Sequence, residues 1–219
     1  MGYMDDFYKN VEQVGVVPVV VLDRVEDAVP LGKALAEGGL PAAEVTFRTA
    51  AAADSIHAIA QECPDVLVGA GTVLNEAQAK RAVDAGARYI VSPGYDMGVV
   101  RWCLAHEVPV IPAGVTPTEV TALVNEGIEV TKFFPAAQYG GLATIRALAS
   151  VFVGHRFMPT GGVNLDNLED YLGYEGVIAC GGTWMVKPAL FTDGDFSTVQ
   201  SECEKAMARV REIRARARS

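Results

Sequence analysis

Eight short apolar runs, "VVPVVVL", "AAEVTF", "VLVGAGT", "RYIVSP", "VPVIPA", "EVTKFF", "RFMPTGG" and "GVIACGG", recur along the chain at intervals of roughly two dozen residues. Runs that are apolar throughout, rather than at every second position, read as strands covered on both faces, the condition of a parallel sheet under helices. Between them lie segments of helical periodicity: Ala28 to Leu35 with Asp27 as N-cap, Ala50 to Ala60, Asn75 to Val83, Met97 to Ala105, Thr118 to Val124, Leu142 to Leu148 and Asn164 to Leu172. Eight βα units of this size suit a closed barrel better than an open, doubly wound sheet. The expectation is an α/β chain folded as a single (β/α)8 TIM barrel, residues 1–219 forming one domain, with an extra N-terminal helix over Asp5 to Gln13 closing the bottom.

Half of the 219 residues are apolar, enough for one sizeable core, and the net charge of −9 is spread along the chain. That charge disfavours nucleic-acid and membrane partners. The exception is the tail "ARVREIRARARS", whose cations read as complements to the C-terminal end of a last helix. Cys63, Cys103, Cys180 and Cys203 lie far apart with no CxxC pair, and read as small core residues in a reducing compartment. The start "MGYMDDFYKN" lacks the basic-then-apolar pattern of a signal peptide, and no apolar run approaches the ~18 residues of a membrane span. A soluble, cytoplasmic protein is expected.

In such a barrel, chemistry collects where strands end and βα loops begin. Reading only those positions brings together Glu44, Thr46 and Arg48, then Gly71 and Thr72, Ser92 and Pro93, Lys132 and Phe134, Thr160 with Gly161 and Gly162, and Gly181 and Gly182 with Thr183. Lys132 sits inside an apolar run, where a lysine is rare unless it is paired or used. Facing inward, its amine is a usable nucleophile for a ketone; otherwise it snorkels from the strand end or joins a structural ion pair. The other lysines, Lys9, Lys33, Lys80, Lys187 and Lys205, fall on helix faces or in loops.

Glu44 has two candidate partners. A local ion pair with Arg48 is the bland reading; the alternative pairs it with Lys132, where a carboxylate shuttles the protons of imine chemistry and leaves Arg48 to hold a substrate carboxylate bidentately. The glycine pairs in "PTGGVN" and "CGGTW" put unhindered backbone amides at the two loops where barrels often bind phosphate, and Thr183 adds a hydroxyl. No HExxH, GxxxxGK[ST] or strand-borne GxGxxG motif is present, and His57, His106 and His155 sit where no acid, base or metal ligand is evident. No metal or cofactor is expected.

Taken in order, "EVTFRT", "GAGTV", "SPG", "TKFFPA", "PTGGVN" and "GGTW" resemble the 2-keto-3-deoxy-6-phosphogluconate (KDPG) and 4-hydroxy-2-oxoglutarate (KHG) aldolases, class I Schiff-base lyases, over Gly15 to Val186. The resemblance implies Lys132 as the Schiff-base lysine and Glu44 as the acid/base. It implies Arg48 and Thr72 on the pyruvyl carboxylate, with Pro93 and Phe134 around the pyruvyl group. The backbone at Gly161, Gly162, Gly181 and Gly182, with Thr183, would hold the phosphate. It further implies a phosphorylated keto-acid substrate, pyruvate as product, and a homotrimer. Departures are Thr183 where serine is frequent, Ala137 where many members carry an acid, and Gly114 one place from the usual position. A substrate epimeric at C4 or lacking the phosphate remains open within this chemistry. Outside it stand a phosphosugar isomerase or decarboxylase and a non-catalytic binding module.

Overall fold

The computed structural model describes residues 2–217. Helix α1 (Tyr3–Val14) leads into β1 (Val16–Val20), and strand and helix then alternate: α2 (Ala28–Glu37), β2 (Ala42–Thr46), α3 (Ala52–Glu62), β3 (Leu67–Gly71), α4 (Glu76–Asp84) and β4 (Ile90–Val91). The order continues with α5 (Met97–Ala105), β5 (Val110–Ile111), α6 (Pro117–Asn125), β6 (Val130–Phe133), α7 (Gly141–Val151), β7 (Arg156–Pro159), α8 (Leu168–Leu172), β8 (Cys180–Gly182) and α9 (Ser197–Ala217). Every strand pairing is parallel. Six strands form one sheet in the order β5-β4-β3-β2-β1-β8, and β6 and β7 form a second. Single parallel bridges occur at Ala113 with Lys132, Phe157 with Val177, and Thr160 with Gly181.

Successive strand residues point to opposite faces, and here each face has its own core. Val16, Val20, Ile90, Phe133 and Phe157 pack in the cluster that contains the helix residues Leu31, Leu35, Ile56, Ile59 and Leu123. Their neighbours Val17, Val91, Val130 and Met158 pack instead with Tyr89 and Ile111 and with Phe7, Tyr8 and Val11 of α1. Burying such large side chains stabilises by about 2 kcal/mol each, so α1 is held by an apolar plug rather than by its caps. The four cysteines are free and buried, and burial pushes the Cys103 and Cys203 thiols up to about 12.

Several local expectations are corrected. Asp27 does not cap α2: it closes a 3₁₀ turn (Val25–Asp27) with helical backbone, and its carboxylate instead accepts from Arg24 Nε and Nη2 at 3.0 and 2.7 Å. An N-cap needs extended backbone to aim its oxygen at the first turn. The helix expected from Asn164 begins only at Leu168, because Asn164 Oδ1 accepts from the amides of Asp166 and Asn167 and holds a turn. Helix α3 starts at Ala52 rather than Ala50. Strands β4 and β5 are only two residues long; Pro112, directly after β5, has no N–H to extend the ladder. The basic tail ends α9, with Arg214 and Arg216 in its last turn, and it also ties elements together. Arg209 and Arg216 bind Glu169 of α8 at 2.6 and 2.7 Å, and Arg214 reaches the Gln13 carbonyl of α1. Residues 218–219 of that tail lie outside the described residues.

Candidate active site

Two strands that are not neighbours supply the central pair. Lys132 on β6 and Glu44 on β2 are 4% and 0% exposed, and Lys132 Nζ donates to Glu44 Oε1 at 3.1 Å. Their positions follow from strand alternation: Val130 and Lys132 share the inward face while Thr131 and Phe133 share the other. Thr131 confirms its side by bonding His155 Nε2 at 2.7 Å. Phe134, next to the lysine, places its ring 5.5 Å from Nζ. Glu44 Oε2 is buried with no hydrogen-bond partner. The carboxylate fits because Gly71 on β3 has no side chain; a Cβ there would collide with Glu44.

Above the pair opens a cavity of about 80 Å³. Arg48, Thr72, Pro93, Lys132, Phe134, Gly161, Gly162, Gly181, Gly182 and Thr183 all line it, with Glu44 directly behind Lys132. Arg48 and Thr183, 135 positions apart in the chain, thus meet because every contributing strand points its C-terminal end the same way. Thr72 has φ +57°, a left-handed conformation that costs a threonine roughly 1–2 kcal/mol and turns its hydroxyl-bearing side chain toward this mouth. Gly161 and Gly162, at φ +95° and +83°, take a turn that only glycine adopts freely and leave their amides unscreened. Arg48 makes no hydrogen bond or ion pair within the described residues and is exposed at the mouth.

Not every strand-end residue joins. Thr46 is buried and its hydroxyl bonds the Val20 carbonyl at 2.9 Å, since β2 stops there and Arg48 belongs to the following turn. Ser92 is buried away from the cavity lining. Thr160, named at its strand end but given no role, also lines the cavity, as do Val19 and Val163, which the strand-end reading did not name. The inward register of β1 is the signal that would find Val19; Val163 follows from the turn at Gly161 and Gly162. Larger grooves of about 540 and 420 Å³ lie elsewhere, one around Val124, Val153 and His155 and the other around Gln13, Asp65 and Arg88. Neither brings a buried amine to a carboxylate, so size does not select the site.

Fold and site together define a parallel α/β protein with a buried amine–carboxylate pair at its strand ends, under a small cavity rimmed by arginine and glycine turns. Residues 8–202 match the family described as KDPG and KHG aldolase, and the chain belongs to that family. It is 50% identical over 204 residues to the 2-dehydro-3-deoxy-phosphogluconate aldolase of Treponema pallidum (strain Nichols), covering 93% of this chain and 97% of that one. The 2-keto-3-deoxy-6-phosphogluconate aldolase of Zymomonas mobilis ZM4, solved with 3-phosphoglycerate, superposes with a TM-score of 0.86 at 35% identity, covering 94% of this chain and 96% of that chain. The KDPG aldolase of Legionella pneumophila, solved with pyruvate captured as a covalent carbinolamine intermediate, gives 0.84 at 37% identity over 87% and 92% of the two chains.

Proposed function

We propose that the chain is a class I aldolase that cleaves 2-dehydro-3-deoxy-6-phosphogluconate to pyruvate and glyceraldehyde 3-phosphate. The observation that carries this is the buried Lys132 Nζ to Glu44 Oε1 contact of 3.1 Å, in a chain of the KDPG and KHG aldolase family. Arg48 and Thr72 hold the substrate carboxylate, and Pro93 and Phe134 confine the pyruvyl group. Gly161, Gly162, Gly181 and Gly182, with Thr183, offer donors to the phosphate.

The unprotonated Lys132 amine adds to the C2 carbonyl, and loss of water leaves an iminium. Glu44, directly or through a water, takes the proton of the C4 hydroxyl; the C3–C4 bond breaks, its electrons pass to the iminium as an enamine, and the aldehyde leaves. Protonation at C3 and hydrolysis release pyruvate and restore the amine. Fixing the carboxylate at Arg48 turns the ketone toward Lys132, an orientation effect worth several kcal/mol of barrier. Intact-mass analysis with peptide mapping after pyruvate and borohydride tests this reading. A reduced pyruvyl adduct on Lys132 is expected, and its absence from folded protein overturns the assignment. The family description names a second substrate, KHG, and the dependence of kcat/KM on the substrate phosphate separates the two.

The architecture that best accommodates this site is one closed (β/α)8 barrel forming a single domain, with α1 across its bottom. Supporting closure, the ladder continues at both seams between the two sheets: Lys132 N donates to Pro112 O at 2.9 Å and Gly114 N to Lys132 O at 3.1 Å, while Phe157 N donates to Gly176 O at 2.8 Å and Ile178 N to Phe157 O at 3.0 Å. A homotrimer, tested by light scattering, and a cytoplasmic location, with which four buried free thiols agree, complete the reading.

A further inference from the structure

This inference rests on Glu44 acting as the acid/base group, and concerns what holds it in place. Below the Glu44–Lys132 pair, Tyr89 just ahead of β4 is 1% exposed and its ring meets Phe7 of α1 at 5.1 Å between centroids. The ring covers Gly69 so closely that a Cβ there would run into it, as a Cβ at Gly71 would run into Glu44. Gly69 and Gly71 share one face of β3, about 6.6 Å apart, and Gly69 is the register partner of Glu44. Phenol and carboxylate are therefore stacked over consecutive inward positions of the same strand. Each ends in a buried oxygen without a partner, Tyr89 Oη and Glu44 Oε2.

A buried phenol and a buried carboxylate oxygen left apart are both penalised for lost solvation, whereas one hydrogen bond between them removes both penalties. We propose that Tyr89 is a positioning residue for Glu44, its phenol donating to Oε2 directly or through one bridging water while Oε1 accepts from Lys132. Burial, and then the Glu44 charge, hold the Tyr89 hydroxyl well above its ordinary pKa, so it keeps the proton it must donate. Lys132 faces Glu44 from β6 and Arg48 stands at the cavity mouth; Tyr8 Oη of α1 lies by the backbone of Glu129 and Val130 and, like Ser92 Oγ and Thr160 Oγ1, is buried without a hydrogen-bond partner. The remaining members of this inner cluster are apolar. A donor on Oε2 favours the ionised carboxylate and fixes the rotation that aims its other oxygen at the amine.

The test is Tyr89→Phe, which keeps the ring and removes one oxygen, read by the pH profile of kcat. Expected are a fall in kcat of roughly tenfold and an acid limb moved upward by about one pH unit, because the carboxylate loses a bond that favours its charge. An acid limb that stays put overturns the proposal whatever kcat does. Borohydride trapping of pyruvate on the wild-type protein keeps the two questions apart. If it fails, the lysine reading falls; if it succeeds and the limb does not move, only the role of Tyr89 falls.

Discussion

Glu44 Oε1 lies 3.1 Å from Lys132 Nζ, a contact between residues 88 positions apart, although Arg48 stands only four positions from the same carboxylate. The choice of partner is geometric. Lys132 and Glu44 point to one interior, whereas β2 ends at Thr46 and the chain carries Arg48 out to the cavity rim. Arg48 is left with its donors available at the mouth.

Because both charges are buried, the pair can be dissected. Lys132→Ala is expected to abolish turnover and to cost roughly 3–5 kcal/mol, since it strands the carboxylate. Lys132→Met combined with Glu44→Gln should recover most of that loss while remaining inactive. Urea unfolding of both variants beside an aldol-cleavage assay measures the separation.

Glu44→Gln keeps the shape of the side chain and removes its basicity. A fall in kcat of about 10²–10⁴ is expected, with pyruvate still trapped on Lys132 at a reduced rate. Cleavage near the wild-type rate would remove Glu44 from the mechanism.

At the glycine turn, Gly162→Ala places a Cβ at φ +83° and within 2.5 Å of the Ala137 Cβ. The strain is about 1–2 kcal/mol. KM for the phosphorylated substrate should rise about tenfold, while cleavage of unphosphorylated 4-hydroxy-2-oxoglutarate changes little. Equal losses on both substrates would move the phosphate away from this turn.

Outside the site, His155 gives a pH signature. Burial lowers its pKa to about 4, with a backbone bond at Ile128 opposing the shift. The folded state therefore refuses a proton that the unfolded chain accepts from about pH 6.5 downward. Its contribution is fully present above that pH, is lost as pH falls toward 4, and changes no further below. At about 1.4 kcal/mol per pH unit a wholly dry ring would account for some 3 kcal/mol; with a solvent-filled groove beside it, about 2 kcal/mol is expected. Denaturation at pH 7 and pH 4.5 should show this loss, and His155→Gln should flatten it.

How much of this was legible beforehand varies with the range of the interaction. The run "EVTKFF" reads as a strand in which Thr131 and Lys132 take opposite faces because alternation is a property of adjacent residues, but which face is the inner one was left open. The glycines of "PTGGVN" and "CGGTW" were legible for the same reason. Asp27 and Asn164 were misread as helix starters because a short carboxylate or amide side chain serves a cap, a turn or an ion pair equally well. Only the surrounding backbone selects among them.

Short-range periodicity was enough to order eight strands and seven intervening helices, and to say which residues stand at strand ends, since those depend on a few neighbours along the chain. Which strand ends face one another depends on contacts tens of residues apart. The pairing of Glu44 with Lys132 in preference to Arg48, the place of Tyr89 beneath them and the glycines that make room for both were decided by the packed interior. There, excluded volume and the cost of an unpaired buried charge leave few arrangements open.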